Sequence, residues 1–228
     1  VEEQRDGTRR IASLITLPSS GVKRGAIDQP AAAPQALSPA IAQVRNLART
    51  AVKHITASVA GVDLKIQQTK GVVAVSRADN EIFEDDITRV LQSARAINLP
   101  PNRVIIDTII REFIVDGITG IADPLGMIGK RLEASLLILD SFTPTTKNME
   151  RCLETLGAHV EHFSAGPVAA AHATLTPSQK ELGSLLIDIG AGTTKIAIFE
   201  ENRLSHVAVI PVGGANITND LAIGLRIP

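Results

Sequence analysis

The sequence predicts an α/β fold with a compact α+β unit in the middle of the chain. Two observations lead to this prediction. After residue 184, short apolar segments alternate with turns and end in a helical segment, which is typical of a β-meander followed by a helix. Residues 62–142 hold strand-like segments around an amphipathic helix, so we expect them to form a compact α+β unit of their own.

Composition excludes several classes of function. The 228 residues include 23 Lys and Arg against 24 Asp and Glu, a balance that gives no support to a nucleic-acid partner. Aromatic residues make up 2%, with no Tyr or Trp, so base-stacking platforms are not expected. The single cysteine excludes an intrachain disulfide framework and suits a reducing compartment.

The N-terminal part is predicted to contain a short strand and a long helix. Residues 11–17 are apolar and precede a Pro-Ser-Ser-Gly turn, which favours a strand. Residues 30–39 look like a linker, and Ser38 with Pro39 is typical of a helix start. Apolar residues then recur at steps of three and four as far as Val59, which predicts one amphipathic helix.

The middle of the chain predicts a sheet with a helix, followed by two further helices. Short strands separated by Gly71 are expected over 62–76, and longer strands over 103–117 and 131–142. Three acidic residues that suit the positive end of a helix dipole open a helix over 84–97.

Helices are also expected at 143–157 and 165–175. Cys152 lies in the first of these among apolar residues, with no histidine partner indicated, so we expect a buried structural thiol.

The segment from Asp188 to Thr194 indicates a chemical role. Asp188 is followed by Ile-Gly-Ala-Gly-Thr-Thr, a tight turn between two strands. Its glycines can adopt unusual backbone conformations and let N–H groups approach phosphate oxygens, with the Thr193 and Thr194 hydroxyls as further donors. Asp188 could hold a Mg²⁺-bound water. A plain hairpin is the alternative, and the spacing fits neither a P-loop nor a Rossmann motif.

Longer stretches of the sequence resemble a known family. Two segments resemble the actin/Hsp70/sugar-kinase superfamily. DIGAGTTKIAIF is similar to its second phosphate-binding loop, and VIPVGGANITNDLAIGL is similar to the segment after that loop. Within that superfamily, four further segments resemble the FtsA family of bacterial cell division proteins. They are REFIVDGITGIADPLGMIGKRLEASLLIL, EDDITRVLQSARAINLP, SAGPVAAAHATLT and SSGVKRGAID. Because the chain begins at Val1 and ends just after a helical segment, we expect an incomplete member of this family.

The resemblance implies part of a two-lobed, actin-like ATPase fold with an inserted subdomain called 1C. The implied division is 1–61 for part of the first lobe, 62–142 for the inserted subdomain, 143–181 for the return to the first lobe and 182–228 for the start of the second. The resemblance also implies ATP and Mg²⁺ as cofactors, with Asp188 reaching the metal ion through water. The residues implied to face the nucleotide are Asp188, Gly190, Ala191, Gly192, Thr193, Thr194, Gly213 and Gly214.

The family's role supplies the expected partners. A protein of this kind tethers the tubulin-like division protein FtsZ to the cytoplasmic side of the bacterial inner membrane at the division site. It self-associates into filaments and recruits later division proteins, which we expect to bind residues 62–142. Membrane contact is expected only through a C-terminal helix that would follow Pro228. Lys195 stands where the family commonly has Asp, so at most a weak ATPase is expected.

Three alternatives stay open on the sequence alone. A sugar or acid kinase of the same superfamily would need a carboxylate base facing its substrate, a role that Asp188 could fill. An actin-like scaffold of pilus assembly or cell shape would share the fold. A nucleotide-free interaction module is the third, because the sequence holds about half of a cleft.

Overall fold

The computed structural model describes residues 1–4 and 6–227 and is α/β, as predicted. The helices are α1 (Ala32–Leu47), α2 (Glu84–Arg95), α3 (Thr143–Glu154), α4 (Gly166–Thr174), α5 (Pro177–Leu182) and α6 (Gly214–Leu225), with a 3₁₀ turn at Ala51–Lys53. The strands are β1 (Glu2–Glu3), β2 (Arg9–Arg10), β3 (Val22–Lys23), β4 (Ala26–Ile27), β5 (Ile55–Val59), β6 (Lys65–Ala74), β7 (Arg103–Val115), β8 (Ile118–Ile121), β9 (Arg131–Phe142), β10 (Val160–Ala165), β11 (Ser184–Ile189), β12 (Thr194–Glu200) and β13 (Arg203–Ile210).

Strand β9 is the centre of the inserted unit, whose antiparallel sheet has the order β6-β9-β7-β8. Nearly every side chain of β9 is buried, which requires cover on both faces of the sheet. Leu132 and Ala134 pack into a core with Val90 of α2. Leu137 and Leu139 have the opposite parity along the strand and pack into a second core on the other face.

Gly71 lies within β6, although the sequence predicted that it separates short strands. The strand continues through it because α2 crosses the sheet there. A Cβ on Gly71 would lie 2.9 Å from Ala94 Cα and closer still to Val90 O. The glycine therefore permits close packing of helix on strand and does not break the strand.

The first part of the chain is organised around the parallel pair β5–β10, between two segments about a hundred residues apart in sequence. Helices α1 and α3 contribute Ile41 and Leu153 to a core that also contains Val52 and Ala57. Cys152 is buried, as predicted, and burial raises the pKa of its thiol.

The last sheet is the antiparallel meander β11-β12-β13, as the sequence predicted. Its inner face shares a core with the inserted sheet: Phe199 and Val207 pack in one cluster with Leu137 and Leu139 of β9. Outside this core, Arg203 on β13 lies 3.4 Å from the Glu112 carboxylate of β7. It also donates a 3.0 Å hydrogen bond to Gly120 O. The inserted unit is thus packed against the last sheet.

The prediction for the first helix was wrong at both ends. Helix α1 begins at Ala32, within the predicted linker, and contains Pro39 in its interior. It ends at Leu47, because Ala48 is extended, with φ −152° and ψ 108°. The apolar residues beyond belong to the 3₁₀ turn and to β5, whose partner β10 cannot be found from local spacing.

Three other segments also differ from the prediction. Residues 11–17 form no strand, and none of the described sheets includes them. The short helix α5 was missed, although its Thr176-Pro177-Ser178-Gln179 start is a capping box that local sequence could have revealed. Strand β8 lies between the two long strands predicted over 103–117 and 131–142, where no strand was expected.

Asp63 ties the entry of the inserted unit to its exit. Its carboxylate accepts hydrogen bonds from the Ser141 hydroxyl (2.5 Å), the Phe142 N–H (2.8 Å) and the Thr145 hydroxyl (3.2 Å). Burial by itself raises the pKa of Asp63, but these donors outweigh burial and hold the pKa below its ordinary value of 3.8. The carboxylate therefore stabilises the fold above the ordinary pKa, and this contribution is lost as pH falls through the lowered pKa.

Beside Asp63 lies a buried ion pair between Arg103 and Asp140, whose side chains are 4% and 0% exposed. Arg103 also donates to Asp63 O at 2.7 Å and to Asp140 O at 3.0 Å. Gln67 donates a 2.8 Å hydrogen bond to the Asp140 carboxylate. Strands β6, β7 and β9 are therefore held together by buried and partly buried polar contacts.

We predict that Arg103→Met destabilises the inserted sheet by about 3–5 kcal/mol, because it leaves the Asp140 charge buried without a cation. The matched control is Arg131→Met on β9. The Arg131 guanidinium lies 3.1 Å from the Glu133 carboxylate, and the arginine side chain is 60% exposed. Its loss should cost less than about 1 kcal/mol. Hydrogen exchange of the β7 and β9 amides measures both, and equal effects would contradict the prediction.

Candidate functional site

The turn between β11 and β12 has an asymmetric hydrogen-bond pattern. Gly190 N–H donates to Thr193 O at 2.9 Å across the turn. The reverse bond is not formed, because Gly190 O accepts from Gly214 N–H at 2.8 Å. The next carbonyl, Ala191 O, accepts from Ala215 N–H, also at 2.8 Å. The start of α6 therefore binds the tip of the hairpin through two backbone hydrogen bonds.

These bonds orient the tip. In a trans peptide the C=O and N–H groups point in opposite directions. Because the carbonyls of Gly190 and Ala191 face α6, the N–H groups of Ala191 and Gly192 face away from it. Among the described residues, no hydrogen bond engages the N–H of Ala191, Gly192 or Thr193. Successive free N–H groups of this kind form a concave site for an anion.

Close approach, and not unusual backbone torsion, explains the glycines of the site. The prediction that the hairpin glycines adopt special conformations was wrong, since neither Gly190 nor Gly192 has a positive φ. The tightest position is Gly213, where a Cβ would lie 2.6 Å from Ala191 O and closer still to Gly190 O. Gly214 has more room, because its Cβ would lie 3.8 Å from Gly190 O.

The structure also shows what the neighbouring polar side chains contact. Asp188 Oδ2 accepts a 2.7 Å salt bridge from Lys195 Nζ on the facing strand, so its other oxygen stays available. The Thr194 hydroxyl donates to Val212 O at 2.8 Å and holds the segment before α6. Thr193 is buried, at 7% exposure. The tip of the hairpin and the start of α6 are thus brought together. Asp188 and Lys195 neutralise each other on the two strands, next to the turn.

A groove of about 330 Å³ lies beside the tip, near the lower limit for small-molecule sites. The prediction from sequence did not include several of its residues. The lining residues are Val22, Lys23, Arg24, Ala191, Gly192, Ala215, Asn216 and Asn219. The sequence signal that could have indicated this wall of the groove is the pair of adjacent cations, Lys23 and Arg24, between Gly21 and Gly25. Larger grooves, of about 590 and 570 Å³, lie on the inserted unit and beside the N-terminal residues, away from the hairpin.

The residues present fit the phosphate part of a nucleotide. The tip has free N–H donors, the groove lies open beside it, and no side chain projects from Gly192. The described residues include no group of three or more His, Cys, Asp or Glu placed to hold a metal ion. None of the helices in the described ranges is both long and apolar enough to cross a membrane.

Comparison with known proteins identifies the family. A family model described as "SHS2 domain inserted in FTSA" matches residues 61–139. A second, described as "Cell division protein FtsA", matches residues 185–228, and the two matches together cover more than half of the chain. This chain belongs to the FtsA family.

FtsA proteins of several bacteria are similar over the whole chain. The protein of Neisseria meningitidis is 35% identical over 227 residues, which cover 100% of this chain and 54% of that protein. The protein of Pseudomonas aeruginosa is 34% identical over 227 residues, with the same coverage. The protein of Bacillus subtilis is 37% identical over 226 residues and is covered to 51%. The FtsA-family chain thus spans about half the length of the curated relatives it matches.

The fold agrees with this family. A solved structure described as "PilM-PilN type IV pilus biogenesis complex" superposes on the FtsA-family chain with a TM-score of 0.60 at 16% identity. The likeness covers 92% of this chain and 57% of that chain, and at this identity it concerns the fold alone. The chain has part of the actin-like ATPase fold.

We predict that Gly213→Ala in the FtsA-family protein separates α6 from the hairpin and costs about 1–3 kcal/mol through overpacking. Gly214→Ala is the matched control, because its Cβ has room and alanine favours the helix by about 0.5–1 kcal/mol. Hydrogen exchange of the Gly214 and Ala215 amides measures the contact directly. It should accelerate in Gly213→Ala only, and slow exchange in both variants would contradict the prediction.

Proposed function

We propose that this chain forms part of the ATP-binding cleft of an actin-like cell division protein, with the β11–β12 hairpin as a phosphate-binding loop. The observation that supports this best is the row of free N–H groups at Ala191, Gly192 and Thr193, held in place by the start of α6. Each hydrogen bond from such a donor to a charged phosphate oxygen contributes roughly 1.5–3 kcal/mol. Preorganised donors need no rearrangement on binding.

The other residues of the site support the tip. Gly190, Gly213 and Gly214 let the backbones of hairpin and helix meet, and Thr194 positions the segment before α6. Asp188 keeps one carboxylate oxygen that is not bound to Lys195, and we propose that it holds a water molecule of the Mg²⁺ ion. The metal ion would supply charge neutralisation to the phosphates.

The same salt bridge supports at most weak ATPase activity. A general base must be free to take a proton from the attacking water. Asp188 is held by Lys195, which restricts its movement. We therefore propose a protein whose main role is structural, with the nucleotide acting as a ligand that stabilises the closed arrangement of its parts.

At the level of the whole protein, we propose that it tethers FtsZ to the cytoplasmic side of the inner membrane at the division site. Membership of the FtsA family supports this role, as do relatives described as cell division proteins. Filament formation and recruitment of later division proteins through residues 62–142 belong to the same proposal. The membrane contact itself is assigned to a C-terminal helix outside residues 1–228.

The nucleotide proposal predicts a graded response at Gly192 in the protein expressed from its complete gene. Gly192→Val places a branched side chain at the tip and should weaken ATP binding by at least roughly tenfold, the loss of one charged hydrogen bond. Gly192→Ala adds a single methyl group, which meets Arg24 Cγ at 3.4 Å, and should weaken ATP binding less than Gly192→Val does. Calorimetry measures both, and unchanged affinity in Gly192→Val would exclude the tip as the phosphate site.

The tethering proposal predicts that the complete protein carries FtsZ to membranes. Purified FtsZ is mixed with vesicles of phosphatidylethanolamine and phosphatidylglycerol, with or without the protein, and sedimented. FtsZ should enter the vesicle pellet only when the protein is present. FtsZ that stays in the supernatant, while the protein itself sediments, would argue against the tether.

A further inference from the structure

The β3–β4 hairpin forms the wall of the groove opposite the start of α6. Lys23 and Arg24 line the groove together with Gly192 and Asn216. A Cβ on Gly192 would lie 3.4 Å from Arg24 Cγ, so the arginine side chain lies directly against the phosphate-loop tip. These cations are about 170 residues before the tip in sequence, and only the folded chain brings them to it.

Two glycines fix this hairpin. Gly21 and Gly25 have φ values of +73° and +80°, which favour glycine. A Cβ on Gly25 would lie 2.7 Å from backbone atoms of Ala60 and Gly61, so the hairpin is wedged against the end of the β5 segment. The positions from which Lys23 and Arg24 extend are therefore set by close backbone packing.

Arg24 has a left-handed backbone conformation, with φ +50°. Such a conformation costs free energy for a residue with a Cβ, and glycine would adopt it without that cost. The pairing of Val22 with Ile27 and of Lys23 with Ala26 leaves Arg24 and Gly25 as a two-residue turn, in which a positive φ is usual at both positions. The turn therefore explains the backbone conformation, and the role of the Arg24 side chain is argued from its position in the groove.

Both cations lack an anionic partner in the part of the chain that the structure describes. Neither Lys23 nor Arg24 takes part in a salt bridge there. The carboxylate of Asp188, near the same turn, is already bound to Lys195. Two positive charges thus stand beside free N–H donors with no counter-charge, a combination that binds phosphate strongly.

We infer that Lys23 and Arg24 bind the terminal phosphates of the nucleotide, opposite Gly192. This inference rests on the proposed ATP site and adds the β3–β4 hairpin to it as the side of the groove opposite α6. The phosphates then connect a hairpin that precedes the inserted unit with a sheet that follows it. Because ATP has one more phosphate than ADP, the two cations favour ATP over ADP, while the nucleoside end of the ligand does not contact them.

The test compares ATP, ADP and adenosine by calorimetry on the protein expressed from its complete gene. Lys23→Gln and Arg24→Gln should each lower ATP affinity roughly tenfold to a hundredfold, the loss of a charge-assisted contact, and leave adenosine affinity unchanged. The control Lys147→Gln removes an exposed cation on α3, outside the groove, and should change neither. The salt dependence of ATP binding should weaken in the two groove variants only.

A second variant separates binding from folding. Arg24→Gly removes the side chain and relieves the left-handed strain, so it should be at least as resistant to urea as the parent while losing ATP affinity like Arg24→Gln. A parent protein that does not bind ATP would overturn the proposed function itself. If the parent binds ATP, and Arg24→Gln has the same ATP affinity as the control Lys147→Gln, only this inference is overturned. Equal losses for ATP and adenosine would also overturn it.

Discussion

The carbonyl groups of Gly190 and Ala191 accept two hydrogen bonds from the start of α6, and the candidate site depends on this contact. The contact turns the adjoining N–H groups of the tip away from the helix and leaves them without a partner among the described residues. It requires two backbones to meet at van der Waals distance, which only a residue without Cβ allows at Gly213. The N–H groups at the start of a helix often bind an anion directly. Here two of them bind the hairpin instead, and the hairpin presents its own free N–H groups to an anion.

Packing joins the units that the sequence separates. Strand β9 is buried on both faces, with α2 on one side and the β12–β13 sheet on the other. The contact between Arg203 and Glu112 continues this interface at its edge. The sheet that carries the β11–β12 hairpin is therefore in direct contact with the unit proposed to bind division partners. Forces on one reach the other through a close-packed core, which has little compressibility.

Charge is distributed around the site in a way that its residue types alone do not reveal. Lys195 next to the turn is neutralised by Asp188, so it contributes little to the local field. Lys23 and Arg24, far away in sequence, are not neutralised within the described residues and line the groove. The electrostatic character of the groove therefore comes from the β3–β4 hairpin, and not from the strand that carries the glycine-rich motif.

The sequence by itself determined the meander β11–β13 with its helix, strands β7 and β9 and helix α2 of the inserted unit, the burial of Cys152 and the family. These features are local: alternation, capping residues and turn glycines act within a few residues. Only the tertiary structure decided the bounds of α1, the pairing of β5 with β10, the salt bridge of Asp188 and the place of Arg24 beside Gly192. Local periodicity shows which face of a segment is apolar or charged, whereas its partner is set by contacts between residues a hundred or more positions apart.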